Sequence, residues 1–207
     1  MTTLGVILAG GQSRRMGGGD KFLRTIAGLP MLDHTLARLT PQVDHVILSA
    51  NGNAQSLAAY ALPIVEDGAH AGMGPLAGIL AALRQAEDFG AILISMPADT
   101  PFFPPDLVTR LTAAISDGGA DVAVAASQGQ SHHAIAAWTA RIADPLEDWL
   151  KRSDTFAIRE FLHLCRTATV DFPVAPHDPF FNINTPGDLE AARSIGSRLQ
   201  PFSATSI

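Results

Sequence analysis

Short apolar runs alternate with amphipathic segments along this chain. Four of the runs are rich in Val, Ile, Leu and Ala and lack alternating polar positions: Leu4–Ala9, Val46–Ala50, Ala91–Met96 and Val122–Ala126. Continuous apolar runs of this length are typical of parallel strands that are covered on both faces. A shorter run, Pro63–Val65, precedes two acidic residues and is a fifth candidate strand.

Proline residues precede the amphipathic segments between these runs. The spacing of apolar residues predicts helices that begin near Pro30, Pro75 and Pro104, since proline suits the first turn of a helix. Such helices supply the crossover connections that parallel strands need, and these crossovers are nearly always right-handed. We therefore predict an α/β fold with a doubly wound, mostly parallel, Rossmann-like sheet.

The last third of the chain carries a weaker pattern. It predicts strands at Ala134–Trp138 and Phe180–Ile183, helices at Pro145–Leu150 and Phe156–Leu164, and a final helix that opens at Thr185-Pro186. The sequence shows no internal repeat and no linker. We therefore expect one domain over residues 1–200 and a flexible tail over residues 201–207.

Composition narrows the class of protein. The 207 residues are 47% hydrophobic and 16% charged, which is typical of a globular chain and not of a disordered one. The formal net charge of −6 argues against a general nucleic-acid-binding face, and the single cysteine, Cys165, excludes an intrachain disulfide. The apolar runs are too short to span a bilayer and the N-terminus lacks a charged signal-peptide start, so we expect a cytoplasmic protein without membrane partners.

A glycine-rich, basic loop follows the first predicted strand. From Gly10 to Lys21 its sequence is GGQSRRMGGGDK, which combines closely approachable backbone N–H groups with the charges of Arg14, Arg15 and Lys21. This combination favours a phosphate-rich ligand, although a flexible turn with solvated basic side chains fits the same residues. The loop lacks the motifs of P-loop proteins and of NAD-binding proteins, which disfavours a GTPase switch and an NAD-dependent oxidoreductase.

Asp99 lies directly after the predicted strand Ala91–Met96, between Pro97 and Pro101. Ligands of open α/β sheets bind beyond the carboxyl ends of the strands. This carboxylate is therefore a candidate Mg²⁺ ligand beside the phosphate site. The alternative is a structural role as the cap of a turn or of the following helix.

Asn51 and Asp67 also follow predicted strands. A carboxylate can accept both N1–H and N2–H of guanine, so Asp67 is a candidate for recognising that base. The alternative is that both residues only form turns. The nearby segment Gly72–Gly78 either passes close to a flat ligand or simply leads into a helix that begins at proline.

The second half of the chain offers fewer candidates. Adjacent His132 and His133 point to opposite faces if they lie on a strand, which argues against a shared metal site. Asn182 and Asn184 share one side of the predicted final strand, where they either face a substrate or lead into a helix cap. Cys165 lies in an apolar stretch without a basic activator, which favours a core residue over a nucleophile.

The motifs LAGGQSRRMGGGDK, MPADTP and FNINTPGDL resemble those of the molybdenum cofactor guanylyltransferases in order and spacing. The similarity extends from Leu8 to about Arg193. The first motif is typical of the wider nucleotidyltransferase superfamily, and LAGG together with GPLAG and FNINTP narrows the resemblance to the guanylyl branch. The resemblance implies a nucleotidyltransferase fold. It also implies an enzyme that joins GTP to the molybdenum-loaded pterin as the guanine dinucleotide cofactor and releases pyrophosphate.

The resemblance also implies roles for individual residues, with Mg²⁺ as the cofactor. Nucleotide binding falls to the backbone of Leu8, Ala9 and Gly10 and to Asn51 and Asp67, phosphate contacts to Arg15 and Lys21, Mg²⁺ to Asp99, and the pterin substrate to Asn182, Asn184 and His133. Arg15, Lys21 and Asp99 together are the expected catalytic residues. One departure is Ala134, which follows His133 where the family usually has proline.

Three other functions share part of this evidence. A sister enzyme that transfers CMP to the same pterin and a sugar-phosphate nucleotidyltransferase would both share the glycine-rich loop and Asp99. The cytidylyl branch tends to carry LAAG and an acidic D-x-D-T-P, whereas this chain has LAGG and NINTP. A non-catalytic GTP-binding or cofactor-carrier module would bind without releasing pyrophosphate.

The resemblance also implies transient contact with molybdenum-cofactor insertion proteins or apo-molybdoenzymes.

Overall fold

The structure is a computed structural model that describes residues 1–10, 20–52 and 54–197. Its strands are β1 (Thr3–Leu8), β2 (Thr25–Ile26), β3 (Leu29–Pro30), β4 (His45–Ser49), β5 (Ile64–Val65), β6 (Ile92–Pro97), β7 (Val122–Ser127), β8 (Gln130–Thr139) and β9 (Thr167–Asp171). Its α-helices are α1 (Met31–Leu39), α2 (Ala54–Leu57), α3 (Pro75–Phe89), α4 (Leu107–Gly118), α5 (Ala143–Arg152), α6 (Ile158–Leu162) and α7 (Pro186–Gly196). These elements confirm the predicted α/β fold.

One mixed sheet organises the described chain. Its strand order is β5-β4-β1-β6-β8-β7-β9, and β2 and β3 form a separate antiparallel pair. Strand β1 lies in the sheet interior, parallel to β4 and β6, with Leu8 opposite Ser49 on one side and Pro97 on the other. Strand β8 is antiparallel to both β6 and β7. The carboxyl ends of β4, β1 and β6 therefore meet at one edge.

Hydrophobic clusters cover both faces of this sheet. Buried side chains of α1 and α4 pack on one face with Ile7 and Ile94. Buried side chains of α3, α5 and α6 pack on the other face with Val6 and Leu93. Adjacent residues of β1 and β6 therefore point into different clusters, which explains why these strands are mostly apolar without polar alternation. The result is the doubly wound arrangement that the sequence predicts.

Most predicted elements are confirmed with small shifts at their ends. The four long apolar runs form β1, β4, β6 and β7, and the predicted strand at Ala134–Trp138 forms the second half of β8. The predicted helices near Pro75 and Pro104 correspond to α3 and α4, and the helix after Pro30 corresponds to α1. Proline occupies the first turn of α3 and α7, as its fixed backbone angle favours, whereas Pro30 directly precedes α1 and Pro104 lies three residues before α4.

The prediction of a strand at Phe180–Ile183 is wrong. This segment is a turn followed by irregular chain, because its backbone N–H groups go to different partners. Phe181 N donates to Asp178 O at 3.2 Å and Ile183 N donates to Asp99 O at 3.0 Å. The last strand of the sheet is instead β9, which pairs in parallel with β7. Its alternating polar and apolar residues gave a weaker signal than the buried runs.

A capping box opens α7, as predicted from Thr185-Pro186. The hydroxyl of Thr185 accepts a bond from Asp188 N at 3.1 Å, and Asp188 Oδ2 accepts one from Thr185 N at 2.8 Å. The helix packs through Ala192 against Ile26 and Ile183 in a third, smaller cluster. None of the helices in the described part of the chain has the length and hydropathy needed to cross a bilayer.

Candidate functional site

A cavity of about 270 Å³ opens at the carboxyl ends of β1 and β6. The residues that follow these strands form its floor, and residues from four other segments form its walls: Leu8, Ala9, Gly10, Lys21, Phe22, Pro75, Pro97, Ala98, Asp99, Ala134 and Asn182. Six of the predicted site residues therefore meet here. Phe22, Pro97, Ala98 and Ala134 were not predicted to line the site, although each is adjacent in sequence to a residue that was considered, and Pro75 belongs to the Gly72–Gly78 segment.

Hydrogen bonds between neighbouring strand ends fix the cavity floor. Ala9 N donates to Ser49 O at 2.9 Å, and Ala98 N donates to Leu8 O at 3.2 Å. A Cβ added to Gly10 would meet no described atom within 4 Å. Packing of the described residues therefore does not require glycine at position 10. Its lack of a side chain keeps the backbone open to a ligand.

Lys21 joins the two polar walls of the cavity. Its Nζ forms an ion pair with Asp99 Oδ2 and donates a hydrogen bond to Asn184 Oδ1 at 2.6 Å. The side chains of Lys21 and Asp99 are 15% and 20% exposed, so the pair faces the cavity without being fully solvated. All three residues were predicted as site residues from the sequence, and in the structure Lys21 contacts the other two. A cation, a carboxylate and an amide in contact provide groups for both phosphate and metal ligands.

Asn51 and Asp67 form a reciprocal pair at the ends of β4 and β5. Asn51 Nδ2 donates to Asp67 Oδ2 at 2.5 Å, and Asp67 N donates to Asn51 Oδ1 at 2.9 Å. Burial raises the pKa of the Asp67 carboxyl, and the hydrogen bond from Asn51 partly opposes that shift. This pair holds Oδ2 of the carboxylate in a fixed position beside the first turns of α3.

Gly78 lets α3 approach this pair closely. A Cβ at position 78 would lie 2.2 Å from Ser49 Oγ and 3.4 Å from Asp67 Oδ1. The first distance is far below an ordinary contact, so a larger residue would require Ser49 or the helix to shift. The segment leads into α3, which begins at Pro75, and its predicted close approach to a flat ligand stays a prediction. Ser49 was missed because its apolar surroundings resemble an ordinary buried strand.

His133 lies outside the residues that line the cavity, and its neighbour Ala134 lines it instead. Burial lowers the pKa of His133, as do the charges of Arg159 and His163 near α6. Its predicted contact with substrate stays a prediction. His132 contacts different groups, since its Nε2 lies 2.7 Å from Ser127 Oγ. Among the described residues, no three His, Cys, Asp or Glu side chains form a metal-binding group.

The second half of the chain contributes its predicted asparagines. Asn182 lines the cavity, and Asn184 contacts Lys21.

Arg14 and Arg15 lie in the segment 11–19, outside the described residues, so their predicted phosphate contacts stay predictions. Burial raises the pKa of the Cys165 thiol to about 11, which agrees with a packing residue and not with an activated nucleophile.

Comparisons with known proteins agree on one family. Residues 5–168 match the model of the MobA-like NTP transferase domain. The chain is 44% identical over 196 residues to the molybdenum cofactor guanylyltransferase of Bradyrhizobium sp. strain ORS 278, covering 93% of this chain and 92% of that protein. It is 45% identical over 199 residues to the enzyme of the same name from Rhodopseudomonas palustris strain BisB5, covering 95% of both chains.

Solved structures extend this likeness to the fold. Molybdopterin-guanine dinucleotide biosynthesis protein A from Archaeoglobus fulgidus superimposes with a TM-score of 0.78 at 26% identity, covering 95% of this chain and 100% of that one. The 4-diphosphocytidyl-2C-methyl-D-erythritol synthase of Anaerococcus prevotii reaches a TM-score of 0.73 at 12% identity, with 95% and 96% covered. The second match shows a shared fold alone.

Proposed function

This chain belongs to the MobA-like NTP transferases and, within them, to the molybdenum cofactor guanylyltransferases; from this premise we propose that it transfers GMP from GTP to the molybdenum–molybdopterin cofactor. The products are the molybdopterin guanine dinucleotide cofactor and pyrophosphate. The observation that carries the proposal is the contact of Lys21 with both Asp99 and Asn184 at the cavity beyond β1 and β6. This contact combines groups suited to a nucleotide with groups suited to a second phosphate substrate.

The reaction requires positioning more than covalent chemistry. An oxygen of the pterin's terminal phosphate forms a bond to the α-phosphorus of GTP, and the bond from that phosphorus to the bridging oxygen of the β-phosphate breaks. The electron pair leaves with pyrophosphate. Lys21, which contacts carboxylate and amide oxygens here, is placed to offset charge on the reacting phosphate, and we assign Arg15 the same role. The attacking phosphate is already ionised, so the reaction needs no strong general base.

Asp99 is the residue that we assign to Mg²⁺. It lies on the cavity wall, and its side chain is 20% exposed. The amide oxygen of Asn184 lies nearby, because Lys21 contacts both residues. One carboxylate fits the ordinary mode of Mg²⁺ binding, in which phosphate oxygens and water complete the coordination. When bound, the ion supplies positive charge to the phosphates of GTP. Asp99 would supply the carboxylate that holds the ion, and it already pairs with Lys21 at this cavity.

Asp67 is the residue that we assign to the guanine base. Asn51 holds its Oδ2 at 2.5 Å, and Oδ1 faces the close approach between α3 and β4 near Gly78. A carboxylate so held can accept bonds from N1–H and N2–H of guanine, and cytosine has no matching pair of donors. The backbone of Leu8, Ala9 and Gly10 would then lie along the nucleotide. Contact with insertion proteins or apo-molybdoenzymes stays a prediction, as does the cytoplasmic location.

Pyrophosphate release tests the proposed activity. The wild-type protein should release pyrophosphate from GTP only when molybdenum–molybdopterin and Mg²⁺ are both present. GTP binding without pyrophosphate release would indicate the non-catalytic carrier instead. Release with a sugar phosphate in place of the pterin would indicate a sugar-phosphate nucleotidyltransferase.

Calorimetry with Mg²⁺ tests the base assignment separately. Wild type should bind GTP more tightly than CTP, UTP or ATP, and Asp67→Ala should lose about tenfold or more of that preference because one charged acceptor is removed. Asp33→Ala is a matched control, since Asp33 accepts a bond from Tyr60 at 2.6 Å on a different part of the molecule. A preference for CTP in wild type would move the protein to the cytidylyl branch. GTP selectivity that survives in Asp67→Ala would contradict the role of Asp67 alone.

A further inference from the structure

A polar cluster lies at β7 and β8, on the other side of β1 and β6 from Asp67 in the sheet order. It consists of Ser127 at the end of β7, His132 in β8 and Asp178 in the loop before Phe180, and we refer to it as the Asp178 cluster. Ser127 Oγ donates to Asp178 Oδ1 at 2.9 Å and lies 2.7 Å from His132 Nε2. Ser127 is 1% exposed, whereas His132 and Asp178 are partly exposed, so the hydroxyl of Ser127 depends on these two partners for its hydrogen bonds. The guanylyl transfer proposed above assigns no role to any of these three residues.

The proton count fixes the direction of each bond. A serine hydroxyl has one proton, and Ser127 gives it to Asp178. Ser127 must therefore accept from His132, which places a proton on His132 Nε2. The cluster runs in one direction, from His132 through Ser127 to the Asp178 carboxylate. The Ser127 hydroxyl thus donates to one partner and accepts from the other, which favours a single arrangement of the loop.

Asp178 also holds the start of the segment that carries Asn182 and Asn184. Its Oδ1 also accepts a bond from Phe180 N at 3.0 Å, and its backbone oxygen accepts one from Phe181 N at 3.2 Å. The ring of Phe180 packs on His132 at 4.8 Å between centroids and on Phe172 at 5.3 Å. The start of the segment is therefore fixed by both hydrogen bonds and aromatic packing.

The other end of the segment is fixed at the reaction site. Ile183 N donates to Asp99 O at 3.0 Å, and the side chain of Asn184 contacts Lys21. Asn182 lies between the two attachments and lines the cavity. Both attachments therefore constrain the backbone on either side of Asn182.

We propose that Asp178 is a positioning residue for the second substrate, holding Asn182 at the side of the cavity where the phosphate of the pterin approaches. The inference rests on the proposed guanylyl transfer. The sheet order supports the assignment to one substrate, since Asn51 and Asp67 lie at β4 and β5 on one side of β1, and the Asp178 cluster lies at β8 and β7 on the other. The described bonds of the base side do not involve the cluster.

Steady-state kinetics of two Asp178 variants test this role. Asp178→Ala should raise the KM for molybdenum–molybdopterin about tenfold and leave the KM for GTP within about twofold, because misplacement affects only one substrate. Asp178→Asn should restore most of the loss, since its amide oxygen can still accept from Ser127 and Phe180. A purely structural role would not produce this split between substrates.

Asp121 provides the matched control. It ties the opposite end of β7 to Arg141 and Arg166, so Asp121→Ala removes a comparable carboxylate remote from the cavity. Asp121→Ala should lower the melting temperature without raising the KM for the pterin. Should Asp178→Ala fail to fold, Ser127→Ala removes the two bonds of the Ser127 hydroxyl, keeps the bond from Phe180 N to Asp178, and should raise the same KM about threefold.

Three results would overturn the inference: an unchanged pterin KM in both Asp178→Ala and Ser127→Ala, an equal rise in the KM of both substrates, or the same rise in Asp121→Ala. A wild-type protein that releases no pyrophosphate with GTP and the pterin would contradict the proposed function itself. That result is seen before any variant is made, so the two failures are distinguishable.

Discussion

Lys21 has oxygen partners from two distant parts of the chain. It pairs with Asp99 and donates to Asn184 at 2.6 Å, and we assign it to the phosphates of GTP. A charge-assisted contact is worth about 1.5–3 kcal/mol, so Lys21→Ala should lower kcat at least about tenfold. Single-turnover and steady-state measurements of pyrophosphate release would give the change.

Lys151 is the chain's other lysine and serves as the control. It pairs with Glu147 at 2.7 Å on the surface of α5 and is 56% exposed. Lys151→Ala should leave kcat unchanged because surface ion pairs contribute little. Turnover in Lys21→Ala equal to that of Lys151→Ala would contradict the assigned role.

Single residues also show how one position can serve packing and binding together. Gly78 has no room for a Cβ beside Ser49, and the same close approach brings α3 next to Asp67. The hydrogen bonds between Asn51 and Asp67 then fix the carboxylate in this narrow space. Packing of the helix and placement of the carboxylate therefore depend on each other.

At the scale of elements, α7 is the helix with the best-defined start. The hydroxyl of Thr185 and the carboxylate of Asp188 exchange bonds with the backbone, and Asp188 Oδ2 also accepts from Asn184 N at 2.9 Å. The capping box therefore holds the backbone of a site residue. These backbone bonds lower the pKa of Asp188, with the bond from Asn184 N contributing most.

Thr185→Ala tests the contribution of this cap. The variant should lose about 1 kcal/mol of unfolding free energy, the usual cost of removing an N-cap side chain. Thr112→Ala makes the same chemical change inside α4, where the hydroxyl bonds only to Val108 O at 2.8 Å and Thr109 O at 3.1 Å. It should be neutral or slightly stabilising, since alanine is the better helix former. Urea denaturation of both variants gives their free energies of unfolding. An equal loss in the two variants would contradict the capping role of Thr185.

At the scale of the whole molecule, Asp121 joins three parts of the fold. It accepts bonds from Arg141 Nε at 2.6 Å and from Arg166 N at 3.0 Å, which ties the start of β7 to the segments after β8 and before β9. The side-chain hydrogen bond from Arg166, followed by the other contacts of both arginines, lowers the pKa of Asp121 to about 2. Its unfolded value is close to 3.8. The ionised form is therefore favoured by folding.

Asp121→Asn tests the resulting dependence on pH. A carboxyl with a lowered folded pKa contributes stability that is complete above about 4 and is lost as the pH falls toward about 2. The wild type should therefore be the more stable protein at pH 7, and the gap to Asp121→Asn should shrink between pH 4 and pH 2. Urea denaturation at pH 7, 4 and 3 gives this gap. A gap that stays constant over this range would contradict the ionic origin of the stabilisation.

Local patterns in the sequence determined much of this protein. Apolar runs without polar alternation predicted β1, β4, β6 and β7 because strands buried on both faces are mostly apolar, and a buried polar residue such as Ser95 needs hydrogen-bond partners. Prolines marked helix starts because their backbone angle suits the first turn. The motifs around Lys21, Asp99 and Asn182 identified the family because each is a short, continuous stretch. Burial and backbone conformation both affect which residue types occur at neighbouring positions. They can therefore be inferred from the sequence without knowledge of the fold.

Tertiary structure alone decided which residues meet. Lys21 and Asn184 are 163 positions apart, and their contact depends on how loops close over the ends of β1 and β6. The same holds for Ser127 and Asp178, 51 positions apart, whose hydrogen bond has no local signature. The wrong strand at Phe180–Ile183 has this origin, because its backbone donors are taken by Asp178 and Asp99 and not by a neighbouring strand. Periodicity reports whether a residue is buried, whereas its partners are set by the closure of the whole chain.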